Sequence, residues 1–140
     1  MNLILPRPSG RERGFTLVEL LVVLAIIGLL TTLVVINVLP AQGRAQQQKA
    51  RADIALIEQG LQMWRIETGR FPTTEEGLAA LTVPGTMGAA IQKLPDDPWG
   101  RPYLYRSPGL DGRPYDIWSL GADGEEGGEG ANADILSWAG

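Results

Sequence analysis

One apolar run constrains this chain more than any other feature. It covers residues 15–39, a stretch of 25 residues whose polar interruptions are Thr16, Glu19, Thr31, Thr32 and Asn37. As an α-helix it would be about 37 Å long at 1.5 Å per residue, which is enough to cross a hydrocarbon core of roughly 30 Å. No basic residue lies between Arg13 and Arg44. The sequence therefore predicts a transmembrane helix over residues 15–40.

The first fourteen residues form a short leader of opposite character. Arg7, Arg11 and Arg13 outweigh Glu12, giving a net charge of +2, and prolines 6 and 8 disfavour a helix there. Positive charge just before an apolar run predicts that this end stays cytoplasmic while the rest of the chain is exported. A cleaved secretory signal peptide and an uncleaved signal anchor are the simpler alternatives. The apolar run is longer than the roughly 7 to 15 apolar residues of a signal peptide, which argues against that alternative.

Composition excludes several classes of function. The 140 residues include no histidine and no cysteine, so a thiolate nucleophile, a histidine general base, a Cys/His zinc site and a disulfide are all impossible. The net charge of −4 argues against nucleic-acid binding. The paired carboxylates Asp96 and Asp97 lie between prolines, which favours a rigid turn over acid–base chemistry. We therefore predict that the chain is not an enzyme and that any metal is held by oxygen, as calcium is.

The part of the chain after residue 40 shows the pattern of a small α+β domain. One apolar helical face recurs at spacings of three and four residues: Ala50, Ile54, Ile57, Leu61 and Trp64. Gly69 is a plausible helix end. A single helix of more than fifty residues and two helices hinged at residues 40–43 both fit this pattern.

The remaining elements are shorter. Thr73 and Glu76 have capping-box spacing and predict a short helix that ends near Leu81. Two β-like runs, residues 102–106 and 114–120, flank a loop rich in glycine and proline. A small antiparallel sheet packed on the long helix would complete a domain over residues 41–140.

The junction between leader and apolar run carries a recognisable motif. Residues 13–19, RGFTLVE, resemble the processing site of the type IV pilin-like superfamily. The resemblance implies that a prepilin peptidase cuts after Gly14, removes residues 1–14 and methylates the new N-terminal Phe15. It also implies that Glu19 meets the free amine of Phe15 on a neighbouring subunit and sets the stagger of a filament. The alternative interpretation of Glu19 is a first-turn acid that the helix dipole favours at headgroup depth.

Three further blocks narrow the resemblance. Residues 69–75 (GRFPTTE), 94–103 (LPDDPWGRPY) and 119–124 (SLGADG) resemble type II secretion major pseudopilins, the core protein G family. This resemblance implies a pilin-like fold and an inner-membrane, single-pass subunit whose residues 41–140 are periplasmic. It implies a homopolymer, the pseudopilus, which drives export of folded proteins across the outer membrane. The implied partners are minor pseudopilins, the prepilin peptidase and the inner-membrane assembly platform.

Two alternatives stay open. A type IV pilus pilin would share the N-terminal motif, although such pilins usually close their C-terminal loop with a disulfide that this chain cannot form. A membrane-anchored periplasmic binding module that never polymerises would need the apolar run but not Glu19.

The C-terminal region is acidic and rich in glycine. After Arg113 it has no basic residue and six acids: Asp116, Asp123, Glu125, Glu126, Glu129 and Asp134. An EF-hand is excluded because the ligand spacing is missing. Composition alone is typical of a solvated, mobile loop, whereas the family resemblance implies one structural calcium ion. The implied ligands are main-chain oxygen near Leu120 together with Asp123, Asn132 and Asp134, and Glu125 could substitute for one of them.

Overall fold

The chain divides into two compact units in a computed structural model that describes residue 10 and residues 14–139, without the side chains of residues 34–40. The units are Met1–Val38 and Leu39–Gly140. Nearly all of the predicted leader, and the side chains at the end of the predicted transmembrane segment, lie outside the described residues.

A helix of 52 residues, α1 (Leu17–Thr68), supplies the first element. Thr16 and Glu19 cap its start reciprocally: the Thr16 amide donates to Glu19 Oε2 (3.0 Å) and the Glu19 amide donates to Thr16 Oγ1 (3.2 Å). At the other end the amide of Gly69 donates to the Arg65 carbonyl (2.8 Å), and Gly69 adopts a φ of 81°. The predicted stop at Gly69 is therefore confirmed, and the single helix is observed in place of the two-helix alternative.

The first unit presents an apolar surface. Its large apolar side chains between Phe15 and Leu33 are each between 51% and 84% exposed. Within the part of the chain that the structure describes, no helix is long and apolar enough to cross a membrane.

The second unit contains a three-stranded antiparallel sheet in the order β1-β2-β3. The strands are β1 (Leu104–Arg106), β2 (Asp116–Ser119) and β3 (Ile135–Leu136). Tyr105 lies opposite Ile117, and Ser119 lies opposite Ile135. The two predicted strands are present but shorter than the runs at residues 102–106 and 114–120, and β3 completes the small antiparallel sheet.

The core forms where α1 meets the rest of this unit. The predicted apolar face is buried at Ala50, Ile54, Ile57 and Leu61, each at most 4% exposed, and Trp64 packs against them partly buried. The buried partners come from the later segments and the sheet: Leu78, Leu81, Ile91, Tyr103, Ile117 and Ile135. The predicted α+β architecture, a long helix packed on a small antiparallel sheet, is confirmed.

The segment after α1 differs from its prediction in one respect. The capping box forms, since the Thr73 amide donates to Glu76 Oε2 (2.7 Å) and the Glu76 amide donates to Thr73 Oγ1 (3.2 Å). The short helix that follows is a 3-10 helix, Leu78–Thr82, and it ends next to the predicted end near Leu81. It begins at Leu78 and not directly after Thr73, because Gly77, with a φ of 62°, lies outside the right-handed helical region.

Candidate functional site

The candidate metal site is the acidic loop, defined as residues 120–134, which joins β2 to β3. Its two arms approach so closely that side chains are excluded at two positions. A Cβ atom added to Gly121 or to Gly128 would lie 2.7 Å from the carbonyl oxygen of Asn132. The Ala122 amide also donates to the Ala131 carbonyl at 3.1 Å. The glycines therefore allow main-chain oxygens of the returning arm to lie against the rest of the loop.

Asp134 is the predicted ligand whose surroundings best fit a cation. Its Oδ2 accepts a hydrogen bond from the Gly127 amide at 2.9 Å. Its Oδ1 is buried and has no hydrogen-bond partner among the described residues. A buried polar atom left unpaired costs about 1–3 kcal/mol, and more when the group is charged. A carboxylate oxygen in this state fits an ion or an ordered water that would complete its coordination.

The other predicted ligands are placed less uniformly. The carbonyl oxygens of Asn132 and Ala133 lie against Gly121, each 2.7 Å from the position that a Cβ on Gly121 would occupy. Asp123 is exposed, and its Oδ1 accepts from the Glu125 amide at 3.1 Å. Leu120 lines a cavity of about 150 Å³ at the start of the loop. The position of the Ala133 oxygen could not be predicted from residue type, because every residue carries a main-chain carbonyl.

The carboxylates of the loop are not neutralised by basic side chains of the described residues. Glu125, Glu126 and Glu129 are exposed, and none of the ion pairs formed by described residues includes a carboxylate of this loop. No three acidic side chains of the described chain converge closely enough to hold a metal ion. A site here would therefore combine one or two carboxylates with main-chain oxygens, a donor set that calcium accepts because its coordination geometry is flexible.

The second candidate site is the junction at the start of α1. Gly14 has nothing within 4 Å of an added Cβ, and Phe15 is 84% exposed, so the bond between them is open to a protease. Glu19 occupies the first turn and takes part in the capping box with Thr16. This geometry agrees with the interpretation of Glu19 as a first-turn acid, and its pairing with a neighbouring subunit stays a prediction.

Two families match the sequence. Residues 37–138 match the family described as Type II secretion system (T2SS), protein G, and residues 9–35 match the prokaryotic N-terminal methylation motif. The chain is 45% identical over 136 residues to a type II secretion system core protein G of Vibrio cholerae, which covers 91% of this chain and 92% of the relative. The corresponding protein of Escherichia coli K12 is 40% identical over 141 residues, covering 94% of each chain.

A solved structure agrees with these matches. The crystal structure of the major pseudopilin from the type 2 secretion system of enterohaemorrhagic Escherichia coli superposes with a TM-score of 0.60 at 35% identity. It covers 73% of this chain and 94% of the solved chain. The predicted family and the absence of an enzymatic role are confirmed. The chain belongs to the protein G family of type II secretion systems and is a structural major pseudopilin that carries the prepilin N-methylation motif.

Proposed function

We propose that the chain is cut between Gly14 and Phe15, methylated on Phe15, and polymerised into a pseudopilus through the first half of α1. The observation that carries this proposal is the apolar surface of the first unit, where every large apolar side chain between Phe15 and Leu33 is at least half exposed. Contiguous apolar surface of this extent marks a region that lipid or other chains cover.

Lipid and neighbouring subunits would cover this surface in turn. Before assembly, residues 15–40 would cross the inner membrane once, with the basic leader on the cytoplasmic side and residues 41–140 in the periplasm. After cleavage the same surface would pack against copies of itself in the filament. The prepilin peptidase, the assembly platform and minor pseudopilins are the partners that such a pathway requires, and growth of the filament would drive folded proteins across the outer membrane.

Glu19 would set the register of the filament. A carboxylate in a membrane helix costs about 2.5 to 3.5 kcal/mol at the bilayer centre and less toward the surface. Pairing with the free amine of Phe15 on a neighbouring subunit would neutralise both charges. Because both groups lie at the start of α1, such a pair would fix the axial offset between adjacent subunits.

The acidic loop would hold one structural calcium ion. Asp134 would contribute the oxygen that has no partner among the described residues, Asp123 a second carboxylate, and Leu120 and Asn132 further oxygens. The ion would join the outgoing and returning arms of the loop. It would also offset the negative charge of Glu125, Glu126 and Glu129, which otherwise repel one another.

Replacement of Glu19 tests the assembly proposal. In cells that carry the secretion system, Glu19→Ala should still be inserted, cleaved and methylated, as mass spectrometry of the N-terminal peptide would report. It should fail to form filaments, measured by cross-linking of adjacent subunits. Glu75→Ala, which removes an exposed acid of the second unit, is the matched control and should assemble normally. Filaments of unchanged amount and register from Glu19→Ala would refute the proposed role.

A further inference from the structure

We propose that Arg101 is a positioning residue for the calcium site of the acidic loop, an inference that rests on the proposed calcium binding. Arg101 lies outside the loop, in the turn that precedes β1. Its guanidinium reaches the outgoing arm of the loop and fixes the backbone there, so that the oxygens of both arms are held ready for the ion.

The base of Arg101 is fixed by a buried carboxylate. Asp97 is 4% exposed, and its Oδ1 accepts from the amides of Arg101 (2.8 Å) and Trp99 (3.1 Å). Its Oδ2 accepts from Ser119 Oγ (2.7 Å), at the end of β2. The Asp97 amide donates back to the Arg101 carbonyl at 2.7 Å. The turn from Asp97 to Arg101 is therefore tied to the strand from which the acidic loop departs.

The head of Arg101 lies on the loop. One terminal nitrogen, Nη2, donates to the carbonyl oxygen of Gly121. The other, Nη1, lies 2.9 Å from the position that a Cβ on Gly124 would occupy. The guanidinium therefore contacts both ends of the first turn of the loop, which carries Asp123. Its closest carboxylate in the described chain is Asp97, with Nε 3.8 Å from Oδ2, and not an acid of the loop.

The contact of Arg101 with Gly121 also affects the main-chain oxygens that lie next to Gly121. The carbonyl oxygens of Asn132 and Ala133 pack against Gly121, each 2.7 Å from its Cβ position. Leu120, a predicted main-chain ligand, is the preceding residue. Fixing the Gly121 carbonyl therefore restrains the orientation of the Leu120 peptide and the spacing between the two arms.

Charge and position predict opposite effects when Arg101 is replaced. A guanidinium beside a cation site repels the ion, so an electrostatic role alone predicts tighter calcium binding once the charge is removed. A positioning role predicts weaker binding in spite of that relief. Groups that orient metal ligands typically change affinity by about 10- to 100-fold when they are mutated. Lysine retains the charge but lacks the planar head that contacts both Gly121 and Gly124.

The experiment is a calcium titration of the full chain in detergent, by competition with a fluorescent chelator. The variants are Arg101→Met and Arg101→Lys, with Arg51→Met as control because Arg51 is an exposed residue of α1. We expect both Arg101 variants to raise the dissociation constant by about tenfold or more, with Arg51→Met unchanged. Since the effect is positional, it should persist in 1 M KCl, where electrostatic effects are screened to about 3 Å.

Two results would overturn the inference. The first is unchanged or tighter binding by Arg101→Met with calcium-free unfolding that shows an intact fold. The second is full retention of affinity by Arg101→Lys. Absence of calcium binding by the unsubstituted chain would instead refute the calcium proposal, and the inference with it, so the two failures are distinguishable.

Discussion

The β1–β2 hairpin and the acidic loop treat their carboxylates in opposite ways. In the hairpin, Asp116 is completely buried and is bound by Arg106, by Arg113 Nε (2.6 Å) and by the Leu110 amide (2.9 Å). In the loop, Asp134 has a buried oxygen without a partner in the described part of the chain. The hairpin thus neutralises its buried carboxylate with the chain's own arginines, whereas no basic side chain of the described residues pairs with a carboxylate of the loop.

The electrostatics of the hairpin follow from this pairing. Burial by itself would raise the pKa of Asp116, but hydrogen bonds from Arg113, the Leu110 amide and Arg106 hold its pKa well below the ordinary value. The hydrogen bond to Asp116, together with the negative charges of Asp116 and Asp111, raises the pKa of Arg113. The two arginines also lie over tryptophan rings, Arg106 at 5.3 Å from the centroid of Trp118 and Arg113 at 4.5 Å from that of Trp138. Charge pairing and ring packing by the chain's own residues thus stabilise the hairpin.

Removal of the buried negative charge of the hairpin should have the greatest effect on stability. Asp116→Asn should lower the free energy of unfolding by about 3 kcal/mol, because two arginines lose their charged partner. The loss should be the same in EGTA and in calcium, as measured by urea unfolding. Asp111→Asn is the control, since Asp111 is 84% exposed and contacts Arg113 at 3.4 Å. Equal stability of the two variants would contradict the assigned role of Asp116.

Acid should reduce the stability that Asp116 contributes to the hairpin, and this is the second expected effect. A carboxylate whose folded pKa is depressed contributes stability that is complete above its unfolded pKa of about 3.9 and is lost as the pH falls toward the folded pKa. The stability advantage of the unsubstituted chain over Asp116→Asn should therefore be constant from pH 7 to 5. Below about pH 4 it should shrink by up to about 1.4 kcal/mol per pH unit. Urea unfolding in EGTA at pH 7, 5 and 3 measures this advantage, and a constant value at pH 3 would argue against it.

Without calcium, the loop should respond far less than the hairpin. Asp134→Asn in EGTA should change the free energy of unfolding by less than about 1 kcal/mol, because the carboxylate then has an oxygen that nothing neutralises. Parallel unfolding of Asp134→Asn and Asp116→Asn in EGTA gives the contrast directly. A loss as large for Asp134→Asn as for Asp116→Asn would mean that the loop, too, neutralises its charge internally.

The smallest effect concerns the contact between the loop and α1. Gln47 Nε2 donates to the carbonyl of Gly130, and a Cβ on Gly43 would lie 3.4 Å from that of Ala131. Because hydrogen bonds contribute about 1 kcal/mol or less at exposed positions, Gln47→Ala should raise amide hydrogen exchange in residues 128–132 severalfold with little global destabilisation. Gln48→Ala, at an exposed neighbouring position, should leave exchange there unaltered. Equal exchange in both variants would show that the contact of Gln47 with Gly130 does not restrain residues 128–132.

The sequence predicted the parts of the fold that depend on local pattern. The three-and-four spacing from Ala50 to Trp64 located the buried face of α1, and Gly69 located its end. The hairpin was visible as two β-like runs around a turn-rich loop. The Asp116 network was not, because Arg106 and Asp116 become partners only once the strand register pairs them.

Local sequence pattern did not predict the geometry of the candidate site. The family resemblance, and not the acidic composition, suggested a calcium site in the loop. The buried oxygen of Asp134, the main-chain oxygens and the contact of Arg101 with Gly121 depend on how distant segments pack. The short helix predicted after Thr73 begins only at Leu78, because Gly77 interrupts the helical backbone. Residue type predicts elements, whereas packing determines which atoms remain without partners.

Thermal unfolding of the full chain in detergent, in EGTA and then in excess calcium, tests most directly whether the acidic loop binds calcium. At a thousandfold excess over the dissociation constant, an ion that binds only the folded state adds about 4 kcal/mol. We predict that calcium raises the free energy of unfolding by this amount for the unsubstituted chain and for Asp116→Asn, and that the increase is lost in Asp134→Asn. An identical unfolding transition with and without calcium, from a chain that is folded in both, would contradict it.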